Sequence, residues 1–173
     1  SDRHIVAEMA TAAREWSKQT DRPAMLIAET NVYDHEMVRP IRDGGIGFGA
    51  QWCDDLLHSV FSVVRPGEQL CQRDCAPGAD LDQTLRMGYV DQGTLGEQRR
   101  RRPLAERVET ESMIYSIQNH DFIGNHPLGM RLHQLTSIET QKAAAALLML
   151  LPPIPMIFMG EEFACDHPFR FFV

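Results

Sequence analysis

The sequence is short of several things, and each shortage closes off a class of function. No apolar stretch reaches the roughly 20 residues that a membrane-spanning helix needs. The longest, Ala143 to Ile154, is cut by Pro152 and Pro153. Cysteines are few: Cys53, Cys71, Cys75 and Cys165, with Cys71 and Cys75 four apart rather than in a CxxC pair. No second pair with histidines completes a zinc site, so neither a metal nor a cofactor is expected, and the scattered thiols fit a reduced, cytoplasmic protein. Positive charge is also scarce. The 17 Lys and Arg stand against 24 Asp and Glu, a formal net charge of −7, which is the wrong sign for a surface that grips nucleic-acid phosphates. The one basic run, Arg99 to Arg102, is expected to be a solvated loop. A signal peptide is not expected either, because Ser1 to His4 open directly into an amphipathic helix.

What is present suits one globular domain. The chain has 173 residues and 43% hydrophobic content, enough for a sizeable core. Ile5, Met9, Ala12, Ala13 and Trp16 share a face at helical spacing, with Asp2 as a possible cap. Ala24 to Ala28 is short and apolar, which predicts a buried strand ending at Glu29. Glycines cluster from Gly44 to Gly49, but they lead into the strand-like Ala50 to Asp54. A dinucleotide fingerprint needs a helix there, so no nucleotide site is expected. Asp54 and Asp55 open a helix over Leu56 to Val64, on which His58 is expected to pack rather than bind.

Residues 66–108 show no clean period beyond a short helix at Leu81 to Met87. Such an excursion predicts a functional loop or lid. Met113 to Gln118 then reads as a strand delivering Asn119, His120 and Asp121 at its carboxyl end. Leu132 to Leu135 follows a turn, Ile138 to Leu151 is a strong helix stopped by two prolines, and Pro155 to Met159 is a final strand ending at Glu161 and Glu162. Strands alternating with helices predict a parallel sheet, and four strands that each end in polar groups predict an α/β fold amounting to half of a (β/α)₈ barrel.

Four blocks then carry a resemblance: LIAETNVYD, RPIRDGGIGFGAQWCDDLLHSV, IQNHDFIGN and PPIPMIFMGEEFA. Together they resemble the α-amylase family of glycoside hydrolases, in particular its trehalose-releasing branch, in the order of barrel strands five to eight. The resemblance covers nearly the whole chain, 1–173, as the C-terminal half of the catalytic barrel. It implies that Glu29 is the general acid/base and that Asp121 is the transition-state-stabilising aspartate, with His120 beside it as a sugar-hydroxyl ligand. Asn119, Trp52, Asp54 and Asn125, in the same blocks, are expected to bind substrate. Chemistry supports the pairing, since an acid must protonate the leaving oxygen while a carboxylate stabilises charge on the sugar ring. An apolar strand end is expected to raise the pKa of the acid.

The resemblance further implies maltooligosyl-trehalose as substrate and trehalose as product. The sequence departs from the family in three places. The nucleophilic aspartate of strand four, with its arginine motif, is not among these residues, so the chain alone is expected not to turn over. Gly88 to Arg102 matches only loosely, and Phe122 stands where a polar residue is usual. The open alternatives are a branching enzyme or general amylase, or a glucan-binding module without activity. A half barrel with unpaired edges is also expected to self-associate.

Overall fold

The structure, a computed structural model, describes residues 4–30, 32–68, 75–92, 100–101 and 110–170. The chain opens on α1, Ile5–Thr20, capped by the His4 side chain and ended by Asp21 in a left-handed conformation. The Asp2 cap lies outside the described residues. Strand β1 is Ile27–Ala28, followed by the short helix α2, His35–Val38, which the Asp34 carboxylate caps at the Glu36 amide, 3.0 Å away. Then come β2, Ala50–Trp52, and α3, Asp55–Val64. Residues from the excursion supply α4, Ala79–Met87, and a two-residue ribbon of β3, Asp91–Gln92, with β4, Arg100–Arg101. The chain continues as β5, Met113–Tyr115; α5, His120–Gly124; α6, Leu132–Leu135; α7, Ile138–Leu150; and β6, Ile154–Pro155.

The main sheet runs β1-β2-β5-β6, and every pairing is parallel. Strands in sequential order, with helices crossing between them, are what a (β/α)₈ barrel requires. A doubly wound sheet would reverse its order midway. The core lies between this sheet and its helices: Leu56, Phe61, Tyr115, Phe122, Ile123 and Leu148 are all buried in it. Each such side chain contributes about 1.5–3 kcal/mol by leaving water. Phe61 and Phe122 meet edge to face at 5.0 Å. That contact gives Phe122 a packing role, which accounts for an apolar residue in that position.

Several expectations need correction. The large apolar side chains of α1 do not face the core. Met9 and Trp16 are 50% and 47% exposed, while Ala10, about 100° further round the helix from Met9, is buried. Periodicity finds a stripe but not its partner, and here small residues allow the closer approach, with Arg14 donating to the Gly47 carbonyl at 3.1 Å. Strand Ala24 to Ala28 contracts to β1, and Met25 and Ile27 are exposed, because an edge strand is covered on one side only. Strand Pro155 to Met159 shifts to β6, one residue earlier, although the Met156 amide still reaches the Tyr115 carbonyl at 2.7 Å. Strands Ala50 to Asp54 and Met113 to Gln118 both shorten to three residues. The basic run is not wholly loop: Arg100 and Arg101 pair as β4, since backbone pairing requires no apolar side chain. Arg99 and Arg102 lie outside the described residues, as do the parts of the excursion at 69–74, 93–99 and 102–108.

The glycine cluster has a packing explanation. A methyl group on Gly45 would sit 2.1 Å from the Arg39 carbonyl oxygen, and one on Gly49 would sit 2.2 Å from the Met25 side chain. The loop folds back so tightly that backbone occupies the space of side chains, with Ile46, Phe48 and Gly49 amides bonding to Glu36, Met37 and Leu26 carbonyls. Gly45→Ala is therefore expected to cost about 1–3 kcal/mol by overpacking. Urea denaturation measures this, and an unchanged midpoint would contradict the close approach.

Candidate functional site

Three parallel strands end on one rim, and each delivers polar groups there. Glu29 follows β1 directly, Trp52 closes β2 with Asp54 two residues on, and Asn119 to Asp121 follow β5. Asn119 does two local jobs. Its Oδ1 accepts from the Phe122 amide at 2.9 Å and so caps α5, while its Nδ2 donates to Asp54 Oδ1 at 3.3 Å. The cap starts the helix at His120, and the Asp54 contact ties the β5 end to the β2 end.

His120 lies between the carboxylates. Its Nε2 is 3.2 Å from Glu29 Oε1 and 3.5 Å from Asp121 Oδ1. Its ring stands 5.7 Å from that of Trp52, tilted by 56°. The His120 side chain is 22% exposed, against 57% for Glu29 and 59% for Asp121. The apolar enclosure expected around Glu29 is therefore not supplied by these residues, because β1 is an edge. The three ligand atoms lie within 4.8 Å of one another, a spacing that could admit a cation. It is equally the spacing of an imidazole hydrogen-bonded between two acids, and two of the three groups are open to water.

The loop after Glu29 is firmly held. Gln51, fully buried, accepts from the Asp34 amide at 3.1 Å and donates to the Asp34 carbonyl at 2.8 Å. Thr30 Oγ1 bonds the Trp52 carbonyl at 3.3 Å. The excursion also reaches this loop, since the Tyr33 amide donates to the Asp91 carbonyl at 3.2 Å and the Tyr33 and Tyr89 rings stack at 4.5 Å. Asn125 lies apart, at the C-terminal end of α5, where it lines a cavity of about 670 Å³ with Arg65, His126, Leu128 and Gln134. His58 is half-buried on α3.

Two polar residues not proposed for the site lie beneath it. Gln118, fully buried, immediately precedes the Asn119 cap, and its Oε1 accepts from the Leu132 amide at 3.1 Å. Glu161, 6% exposed, follows β6 in a single 3₁₀ turn, Glu161–Phe163. Burial pushes its carboxyl from the usual range up to about 7, opposed by the nearby Gln118 amide. The acidic pair at the end of the last strand was visible in the sequence, but nothing there distinguished the buried Glu161 from the exposed Glu162.

Replacing Asn119 tests how the rim is built. Asn119→Ala removes the cap and the Asp54 contact, and is expected to destabilise by about 0.5–2 kcal/mol. Asn119→Asp keeps a capping oxygen but sets a carboxylate against Asp54, so its deficit should shrink in high salt. Chemical denaturation at two ionic strengths separates the two, and equal salt responses would refute the contact.

With this geometry established, comparison with known proteins gives a consistent answer. No protein-family model matches the chain. It is 37% identical to a malto-oligosyltrehalose trehalohydrolase of Mycobacterium tuberculosis over 98% of its length, covering 30% of that protein. It is 33% identical to the one from Arthrobacter ramosus and 32% to that of Saccharolobus solfataricus, with similar coverage. Among solved structures, a putative α-amylase from Salmonella typhimurium matches all of the chain with a TM-score of 0.80 and 32% identity, over 30% of its own length. Over nearly all of its residues the chain therefore belongs with the malto-oligosyltrehalose trehalohydrolases, of whose length it spans about three tenths.

Proposed function

We propose that this chain supplies the acid/base side of a retaining α-glycosidase site, the C-terminal half of an amylase-type barrel. The parent reaction would cleave the α-1,4 bond next to trehalose in maltooligosyl-trehalose and release trehalose. The observation that supports this reading is the convergence of Glu29, His120 and Asp121 on one rim, within hydrogen-bonding reach of His120 Nε2.

Each group has a role matched to its place. Glu29, as the acid, donates its proton to the glycosidic oxygen as the bond breaks, and then as the base takes a proton from the incoming water. Asp121 holds its carboxylate near the sugar ring while positive charge develops there. His120 Nε2–H donates to a sugar hydroxyl or to either carboxylate. Trp52 offers an apolar ring face beside His120, and Asn119 and Asp54 add polar contacts. The covalent step needs a third carboxylate, and none in this chain is assigned to it, so the chain alone is expected not to turn over. Residues 66–108 are read as a lid over this rim, a reading supported by the Tyr33–Asp91 bond that ties them to the loop after Glu29. A cytoplasmic setting accompanies this reading, in keeping with the few, scattered cysteines of the sequence. Among the described residues, no helix is long and apolar enough to cross a membrane.

A second reading, glucan binding without turnover, draws on the exposure of both carboxylates. Grafting this segment into a full-length trehalohydrolase tests the two. Losing acid help typically costs about 10² to 10⁴ in rate. Glu29→Gln should therefore lose that much kcat/KM on the natural linkage, but much less on an aryl glycoside with an acidic leaving group. Asp121→Asn should slow both substrates alike. Equal slowing of both by Glu29→Gln would reject the acid assignment, and products from plain amylose would favour a general amylase or branching enzyme.

The isolated chain is also expected to self-associate. β1 and β6 are the sheet's outer strands, and exposed Met25, Ile27, Ile154 and Ile157 lie on or beside them. A compact monomer with one sharp melting transition in sedimentation and calorimetry would contradict this.

A further inference from the structure

Glu29 follows an edge strand, so sheet pairing alone does not hold it near His120. Part of the hold passes through the excursion. The Tyr33 amide, shortly after Glu29 in the chain, donates to the Asp91 carbonyl at 3.2 Å, and the Tyr33 ring stacks on Tyr89. Tyr89, Val90 and Asp91 are all buried. They form a strap between the loop after Glu29 and the first turn of α3, where one carboxyl receives them. Asp55, itself buried, accepts with Oδ2 from the Val90 amide at 2.5 Å and from the Asp91 amide at 3.1 Å. A buried carboxyl is costly unless it is hydrogen-bonded. Two backbone donors converging on one charged oxygen make a strong and directional contact, and the start of a helix favours the negative charge.

We propose that Asp55 is a positioning residue for Glu29, a latch on Val90 and Asp91 through which the Asp91 carbonyl holds the Tyr33 amide and keeps the loop after Glu29 against the rim. Asp91 is the relay, because its amide meets Asp55 and its carbonyl meets Tyr33. Other supports of the strap lie nearer its entry. Gln83 Nε2 donates to the Tyr89 and Val90 carbonyls at 3.3 and 3.5 Å, and the Gly88 carbonyl accepts from the Tyr115 hydroxyl. The latch closes a circuit: α3 follows β2, Asp55 passes its position to the strap, and Tyr33 passes it to the end of β1. An edge strand paired with β2 alone thereby gains a second hold from the same neighbour. Thr30 and Gln51 also secure the loop, so loss of the latch should shift Glu29 rather than unfold its surroundings.

The proposal rests on reading Glu29 as the general acid, and rates test it in a full-length trehalohydrolase carrying this segment. Asp55→Ala removes the acceptor. A displaced acid slows most the substrate that most needs protonation, so kcat on the natural linkage should fall about 10- to 100-fold. On the aryl glycoside with an acidic leaving group it should fall less than about threefold, and KM for both substrates should stay within about twofold. Asp55→Asn keeps an oxygen in the same place and should recover most of the rate. A merely structural loss lowers both substrates together. Equal slowing of the two, no slowing, or an Asn variant as slow as the Ala variant would overturn the proposal.

Hydrogen exchange resolved to single amides reads the latch without substrate, so it stands apart from the acid assignment, which survives or fails on the Glu29→Gln rates. In the unsubstituted enzyme the Tyr33, Val90 and Asp91 amides should open as one unit, with protection matching within about tenfold. In Asp55→Ala the Tyr33 amide should exchange at least about tenfold faster, while amides within α7 keep their rates. Unchanged exchange at Tyr33 in that variant would overturn the proposal. So would independent opening of Tyr33 in the unsubstituted enzyme, an outcome that decides the matter even where Asp55→Ala does not fold.

Discussion

The structure depends on the pairing of β5. It is flanked by β2 on one side and β6 on the other, and Met113, Ile114 and Tyr115 are all buried. A strand enclosed on both faces and both edges has no freedom of register, because a slip of one residue would exchange its two faces. Everything that follows it in sequence inherits that position. The Asn119 cap, the start of α5 and the placement of His120 and Asp121 are all fixed relative to β5 within a few residues.

The same constraint explains why the candidate site is uneven. Asp121 and His120 follow a strand held from all sides, whereas Glu29 follows β1, an edge strand paired with β2 alone. Its carboxylate is kept near His120 by a loop secured elsewhere, through Gln51, Thr30 and the stacked Tyr33 and Tyr89. Buried, packed groups thus lie behind the rim, while the carboxylates of Glu29 and Asp121 face open space. This division is usual for a parallel sheet, whose buried strands fix positions and whose strand ends present function.

Legibility was greatest where the signal was local. The helix expected over Leu56 to Val64 is α3, Asp55–Val64, and that over Ile138 to Leu151 is α7, Ile138–Leu150. In α7 a Ser137 cap and two prolines mark both ends in the sequence itself. Sequential parallel strands followed from the alternation of strands and helices. The glycine cluster leads into a strand, β2, as the sequence order predicts. What failed was anything that depended on the element opposite. The spacing shows that Ile5, Met9 and Trp16 share a face of α1, but not that this face stays exposed.

The sequence by itself determined the order of the four sheet strands with α1, α3 and α7, the parallel character of the sheet and which strand ends would carry acids, because each follows from periodicity and chain direction. Only the tertiary structure decided that His120 bridges Glu29 and Asp121, because the 3.2 and 3.5 Å separations join residues about 90 positions apart in one case and adjacent in the other. It alone decided that Glu161 is buried while Glu162 is not, and that Asn125 lines a cavity that does not include Asn119. Identical residue types one position apart differ only in what packs over them, and that is set by distant segments of the chain.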